Sequence, residues 1–249
     1  MIALLTILGA LITSGLYVGT PGDDAIQGSN GDDEFYGGDG DDTIGGLGGD
    51  DLIEGNDGDD FINSGSGSDL IYGGDGDDRL IVYGFQNTVG GDAGDDHIGS
   101  HGDQDQAFGA DGDDTITITG NQASAEGGDG DEFLQAKIGT EQSLFGDDGD
   151  DFLVHRGDDA FLNGGSGDDR MIAFEEADMN GDLGDDVMVA YGAESGVFGN
   201  QGDDLIRLNG ENMFVDGGQG DDRIISTRDI DPSKTYGGHD IYGDDGNDW

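Results

Sequence analysis

The chain has 249 residues, with 53 Gly, 2 Pro, no Cys and a formal charge of −50 at pH 7. The absence of Cys excludes disulfide bracing and thiol chemistry and is compatible with export. Only 8 Lys and Arg stand against 58 Asp and Glu, which excludes nucleic acid as a partner, because binding a phosphate backbone needs cations to displace its counterions. Acidity of this degree with few large hydrophobes would ordinarily mean disorder. Here the Asp residues form a lattice, a pair after a Gly in repeat after repeat, and that favours a scaffold for a divalent cation.

Residues 1–18 (MIALLTILGALITSGLYV) lie outside the lattice and carry no charged side chain. A secretory signal normally opens on basic residues, and none is present. The segment is predicted to be helical, with small residues four apart at Gly9/Thr13, Ala10/Ser14 and Gly15/Gly19 that allow close helix contact. Its length sits at the lower limit for a membrane span, with Tyr17 where an interfacial aromatic would stand. Three readings are open: a membrane anchor, an assembly helix, or an apolar cap on the first turn of a repeat structure.

From Gly19 the chain steps by nine: GTPGDDAIQ, GSNGDDEFY, GGDGDDTIG, GLGGDDLIE, GNDGDDFIN, SGSGSDLIY, GGDGDDRLI, unbroken to Ile81. A period this strict predicts a solenoid. Beyond Gly73 the strong repeats return every 18 residues, at Gly91, Gly109 and Gly127. After one extra residue come Gly146 and Gly164, and after one missing residue Gly181, Gly199 and Gly217. The pattern Gly-Gly-x-Gly-x-Asp-x-Φ-x, with Φ a large apolar residue, resembles the hemolysin-type nonapeptide of the RTX family, over residues 19–249.

The resemblance implies an all-β fold: a right-handed parallel β-roll over residues 19–249, with two nonapeptides per 18-residue turn and about twelve turns. It also implies calcium bound between loops stacked one turn apart, with sixth-position carboxylates as side-chain ligands. On one edge, edge one, these are Asp24, Asp42, Asp60, Asp78, Asp96, Asp114, Asp151, Asp169, Asp186, Asp204 and Asp222. Glu132 stands where Asp is expected, and Asp248 in the final GDDGND extends the column. On the other, edge two, only Asp33, Asp51 and Asp69 match. Asn87 and Asp105 hold the position without a full glycine frame, and Ala123, Ala160, Ala177 and Met213 cannot coordinate a cation. Glycine at positions one, two and four is expected because the loop turns sharply with positive φ. Calcium takes six to eight oxygens, more than a single loop supplies, so on the order of a dozen ions are expected across the gaps.

The eighth residues, Ile26, Ile44, Ile62 and Leu80 on edge one and Phe35, Ile53, Ile71 and Val89 on edge two, are predicted to stack inward as the core. The fifth-position acids (Asp23, Asp41, Asp59 and successors) are expected to form a solvated rim. Aromatics at the ninth position, Tyr36, Tyr72, Phe108, Phe145, Phe198 and Tyr242, could form a stacked ladder or a sugar-binding surface. His97, His101, His155 and His239 have no Cys to complete a zinc site and are expected at the surface. No catalytic constellation stands apart from the repeats. RTX enzymes carry a catalytic module ahead of the roll, and only residues 1–18 precede this one, so no enzyme is expected. Residues 226–242 interrupt the repeats, and the chain ends mid-repeat without the non-repeat signal usual in type I export.

The expected protein is extracellular or at the cell surface: a calcium-binding structural protein that self-assembles as a filament or surface-layer subunit. The alternative is an accessory binding module or adhesin that recognises a glycan or protein through its outward strand faces. The partners expected are calcium, a second copy or another surface protein, and a membrane through residues 1–18.

Overall fold

The computed structural model describes residues 3–5, 14–226, 239–243 and 246. Every regular element among them is a β-strand, and together they make a parallel β-solenoid of about 12 turns. The chain divides into two compact units, Met1–Gly128 and Asp129–Trp249. Within each unit successive strands alternate between two parallel sheets. In the first unit Thr43–Gly45, Phe61–Asn63 and Arg79–Val82 pair in one sheet, while Glu34–Asp39, Leu52–Asp57 and Leu70–Asp75 pair in the other. The second sheet's strands are longer because they run on into the edge-one loops.

The register turns the sequence period into a core. Ile26 pairs with Ile44 and Ile44 with Ile62 in the first sheet, and Phe35 with Ile53 and Ile53 with Ile71 in the second. A shift of one residue would turn every one of these side chains outward, so the alternation of apolar and polar residues fixes the pairing. The inward residues are buried throughout both units, through Leu134, Leu153, Met171, Met188 and Ile206 on one side and Leu144, Leu162, Met179 and Val197 on the other.

The extra and missing residues of the sequence do not disturb this register. Leu153 pairs with Leu134 across 19 residues, and Met188 with Met171 across 17. Both irregularities fall on edge two, between Leu134 and Leu144 and between Met171 and Met179. Edge one keeps its loop length, as expected if only that edge has a geometry to preserve in these turns.

The described parts of the N-terminal segment are strands rather than helix. Ala3–Leu5 pairs with Asp24–Gln27, and Leu16–Val18 pairs with Glu34–Tyr36. Tyr17 does not sit at an interface: it is 4 % exposed and stacks on Phe35 with ring centroids 4.8 Å apart. It occupies the inward position of the turn before the first glycine frame. Leu16–Val18 can join the sheet because Tyr17 supplies an inward side chain as well as any repeat does. The other residues of the segment lie outside those described, and no helix among the described residues is long and apolar enough to cross a membrane.

From the Gly37 loop to the Gly217 loop the second position of edge one is left-handed whatever residue stands there, with φ +82° at Asn56, +78° at Asp92, +87° at Ala110, +72° at Asp182 and +73° at Asn200. Asn and Asp tolerate this conformation better than other side chains. The first position requires glycine for a different reason. A Cβ at Gly91 would collide with the Asp96 carboxylate and press on the carbonyl oxygen of Gly109, one turn on. Gly55, Gly73, Gly164 and Gly199 are placed in the same way against Asp60, Asp78, Asp169 and Asp204. The first glycine keeps a space open in front of two oxygens.

Candidate calcium-binding edges

The sixth-position acids of edge one enter the interior at the start of each first-sheet strand. Asp24, Asp42, Asp60, Asp78, Asp96 and Asp114 are buried in the first unit, and Glu132, Asp151, Asp169, Asp186, Asp204 and Asp222 in the second. The two carboxylate oxygens have different jobs. Oδ1 accepts the backbone N–H of the sixth residue one turn back, from Asp24 to Asp42, Asp42 to Asp60, Asp60 to Asp78, Asp78 to Asp96 and Asp96 to Asp114, each at 2.7 Å. In the second unit Glu132, Asp151, Asp169, Asp186 and Asp204 donate onward in the same way, at 2.8–2.9 Å. Glu132 thus keeps its place in the backbone register despite its longer side chain. Asp248 lies outside the described residues.

Oδ2 is the unsatisfied atom. In Asp42, Asp60, Asp78, Asp96, Asp114, Asp169, Asp186 and Asp204 it is buried without a hydrogen-bond donor. A buried carboxylate oxygen without a partner is costly. It faces the space kept open by the first-position glycine and the carbonyl of the following turn. No three His, Cys, Asp or Glu side chains converge on one point among the described residues, so a cation here draws most of its oxygens from carbonyls. One carboxylate per loop among carbonyls is a hard, flexible oxygen set of the kind calcium accepts.

The electrostatics agree with this. Burial pushes the carboxyl of Asp60 and of Asp114 up to about 6, those of Asp78, Asp169 and Asp204 to about 7, and those of Asp96 and Asp186 to about 8. Neighbouring carboxylates add to the rise, while the hydrogen bond from the preceding turn's N–H opposes it. Without a cation Asp96 and Asp186 resist ionisation at neutral pH. The residues present therefore fit calcium.

The fifth-position acids do more than line a rim. They are exposed, yet Asp41, Asp59, Asp77, Asp95 and Asp113 each donate a backbone N–H to the carboxylate one turn back, at 3.0–3.4 Å. The second unit repeats this at Asp150, Asp168, Asp185, Asp203 and Asp221. Two ladders thus run in opposite directions along one edge, the fifth residue bonding backward and the sixth forward.

Edge two changes character along its length. Asp33 and Asp51 face the first-position glycines Gly28 and Gly46, and Asp33, Asp51 and Asp69 continue the forward ladder. At the next two turns, hydrogen bonds within the protein satisfy the column. Asn87 donates its amide to Oδ1 of Asp105 and to the Tyr83 carbonyl, while Oδ2 of Asp105 accepts from Ser100 Oγ and the Gly102 N–H. The first-position glycine is already gone from Ser64 onward, and beyond Asp105 the acid is gone as well. Ile118 is buried with Ala123, Ala173 with Ala177, and Leu208 with Met213, so side chains fill the space that glycine leaves open elsewhere. Outside, the fifth-position acids give way to an amide ladder in which Gln86 donates to Gln104 and Gln104 to Gln122.

Sequence reasoning passed over two members of this column. Gln142 and Ser195 occupy the sixth position and are buried, and Ser195 Oγ accepts the Ala177 N–H where an Asp would otherwise stand. The inserted residue hid Gln142, while Ser195 stands in a loop of regular length without a glycine frame; counting back two from the inward Leu144 and Val197 finds both. His155 is fully buried, contrary to expectation, with both ring nitrogens lacking a hydrogen bond and its basicity lowered by burial. It fills the first position of an edge-two loop whose sixth residue is Ala160. His101 stacks on Tyr83 and hydrogen-bonds Thr119 at 3.0 Å. The ninth-position aromatics form no single ladder; Phe145 pairs with Phe161, Phe198 with Phe214, and Phe214 with Tyr242.

Comparison with known proteins agrees with the geometry. The family model of the RTX calcium-binding nonapeptide repeat matches in four copies, over residues 18–53, 45–80, 54–89 and 198–231. The first three copies span the turns that carry Asp33, Asp51 and Asp69 on edge two. No curated protein matches the chain. The chain carries RTX calcium-binding nonapeptide repeats, wound into a parallel β-solenoid.

Proposed function

We propose that this is an extracellular or cell-surface structural protein, not an enzyme, whose solenoid folds on binding about a dozen calcium ions. The observation that carries the reading is the row of buried, unpartnered Oδ2 atoms on edge one, each facing a space kept by glycine. Asp24, Asp42, Asp60, Asp78, Asp96, Asp114, Glu132, Asp151, Asp169, Asp186, Asp204 and Asp222 would hold ions together with loop carbonyls, and Asp33, Asp51 and Asp69 would do so on edge two. Bound calcium supplies the positive charge that lets these carboxyls stay ionised inside the fold. Extracellular calcium modules bind in the range of roughly 0.1–1 mM, above free calcium inside cells, so the chain would close outside and not before.

Self-association is the second part of the proposal. On the first sheet's outer face in the second unit, Arg170, Arg207 and Arg223 stand among Ile172, Val187, Val189 and Leu205. In a chain of net charge −50, a half-apolar face with three arginines suits the acidic loops of another copy. The burial of Tyr17 supports the cap reading for the end of the N-terminal segment.

Sedimentation in saturating calcium tests this second part. Assembly should appear with rising protein concentration, weaken with salt, and fall at least tenfold in Arg170→Glu/Arg207→Glu. A wild-type protein that stays monomeric at all concentrations while fully folded would remove the filament reading and leave calcium-driven folding untouched.

A further inference from the structure

On the outer face of the second sheet in the second unit lies an open groove of about 940 Å³. It crosses five strands, from Thr140–Asp148 to Phe214–Gln219, so it is roughly 19 Å long at ~4.8 Å per strand. We propose that this groove binds a neutral oligosaccharide, a site separate from the calcium-binding edges.

Its chemistry differs from that of the same face elsewhere. In the first unit the third loop position is mostly carboxylate, at Asp39, Asp57, Asp75 and Asp111, with Pro21 and Ala93 as the exceptions. In the second unit that row becomes Ser166, Leu183, Gln201 and Gln219 after Asp148, and the ninth position brings Asn163 and Asn180. Charge has been replaced by amides within a chain that is otherwise densely acidic. A carboxamide offers donors and an acceptor together, which is what vicinal hydroxyls require, whereas a row of carboxylates only accepts.

The amides are held in place. Asn163 donates to Asp182 at 2.8 Å, and Asn200 donates to Asn180 and, at 3.4 Å, to Asp182. Asp182 thus orients two amides from the turns on either side of its own. Each amide retains further hydrogen-bonding capacity beyond these bonds, and side chains already fixed lose less entropy on binding. Phe145 lines the groove at one end, backed by Phe161 at 5.7 Å. Concave sites with a few convergent polar groups beside aromatic surface suit ligands with both polar and apolar faces, and a pyranose ring has both. The remaining carboxylates in the groove, Asp147, Asp148, Asp182 and Asp216, repel a polyanion, which argues for a neutral sugar over a uronate.

The groove is also tied to edge one. Its strands carry Gly164, Gly181 and Gly199 on their inner side, facing Asp169, Asp186 and Asp204. Binding should therefore require the calcium-loaded fold.

The test is calorimetric titration of calcium-saturated protein with maltohexaose, cellohexaose and chitohexaose, beside an oligogalacturonate of similar length. At least one neutral sugar should bind, and the oligogalacturonate should not. The variant Asn163→Ala with Asn200→Gly should weaken binding about tenfold while its calcium-induced circular dichroism stays that of the wild type, since Gly preserves the +73° φ of Asn200. Absence of binding by all three neutral sugars at millimolar concentration would overturn the proposal. So would equal binding of the oligogalacturonate, or wild-type affinity in the variant.

Discussion

Asp96→Ala is expected to lower the number of calcium ions bound by about two and to raise the calcium midpoint of folding several-fold. Asp96 stands between the loops that end in Asp78 and Asp114, so its carboxylate borders two gaps. Oδ1 accepts the Asp78 N–H at 2.7 Å, and Oδ2 is buried without a donor in the space beside Gly91. Alanine leaves the Asp78 N–H unmet, at about 1–3 kcal/mol, and takes an oxygen from both gaps. In a solenoid each turn contacts only its neighbours, so the loss should divide the folding transition as well as weaken it. Asp105→Ala is the matching control on edge two. Both its oxygens are satisfied by Asn87, Ser100 and Gly102, so it should cost stability without changing the ion count. Calcium counting by calorimetry on both variants checks this. An unchanged count in Asp96→Ala would mean that the column is not the binding edge.

The second large effect is that acid substitutes in part for calcium. The raised carboxyls of edge one reach about 6 to 8 in the folded, metal-free chain, against an ordinary value of 3.8. A carboxyl raised on folding binds more protons in the native state than in the unfolded one. Metal-free stability is therefore full below about pH 4 and is lost as pH rises toward 8. Far-UV circular dichroism in chelator should show more β structure at pH 5 than at pH 8. Calcium affinity should change in the opposite sense, falling with pH as protons compete for the same oxygens. Metal-free protein that instead gains β structure between pH 5 and pH 8 would contradict the assignment of these carboxyls to the interior.

Much of this was legible because one nine-residue pattern encodes both register and chemistry. Once Asp96 and Ile98 are read as sixth and eighth positions, the burial of both follows, and the structure buries both. What the pattern does not encode are relations between turns. The forward ladder of Oδ1 atoms and the backward ladder of fifth-position acids join residues about 18 apart, and no local motif marks them. The reason for glycine at position one also depends on the next turn: Gly91 is needed for room before Asp96 and Gly109, not for its φ. Leu16–Val18 reads as part of an apolar helix because it lacks the glycine frame, yet the inward pocket over Phe35 takes Tyr17 readily. On edge two the inserted residue concealed Gln142, and the lack of a glycine frame concealed Ser195. His155 is expected outside as a polar residue, whereas an edge-two loop without glycine or acid has space for its ring to fill.

The proposed folding switch is edge one: a column of buried acids that only a cation makes tolerable at neutral pH. The most direct test is a calcium titration of chelated protein at neutral pH, followed by far-UV circular dichroism, with magnesium in parallel. A cooperative gain of β signal is expected near millimolar calcium and none with magnesium, whose small octahedral shell suits these carbonyl-lined gaps poorly. A protein already folded in chelator, or folded equally by magnesium, would contradict the proposed switch.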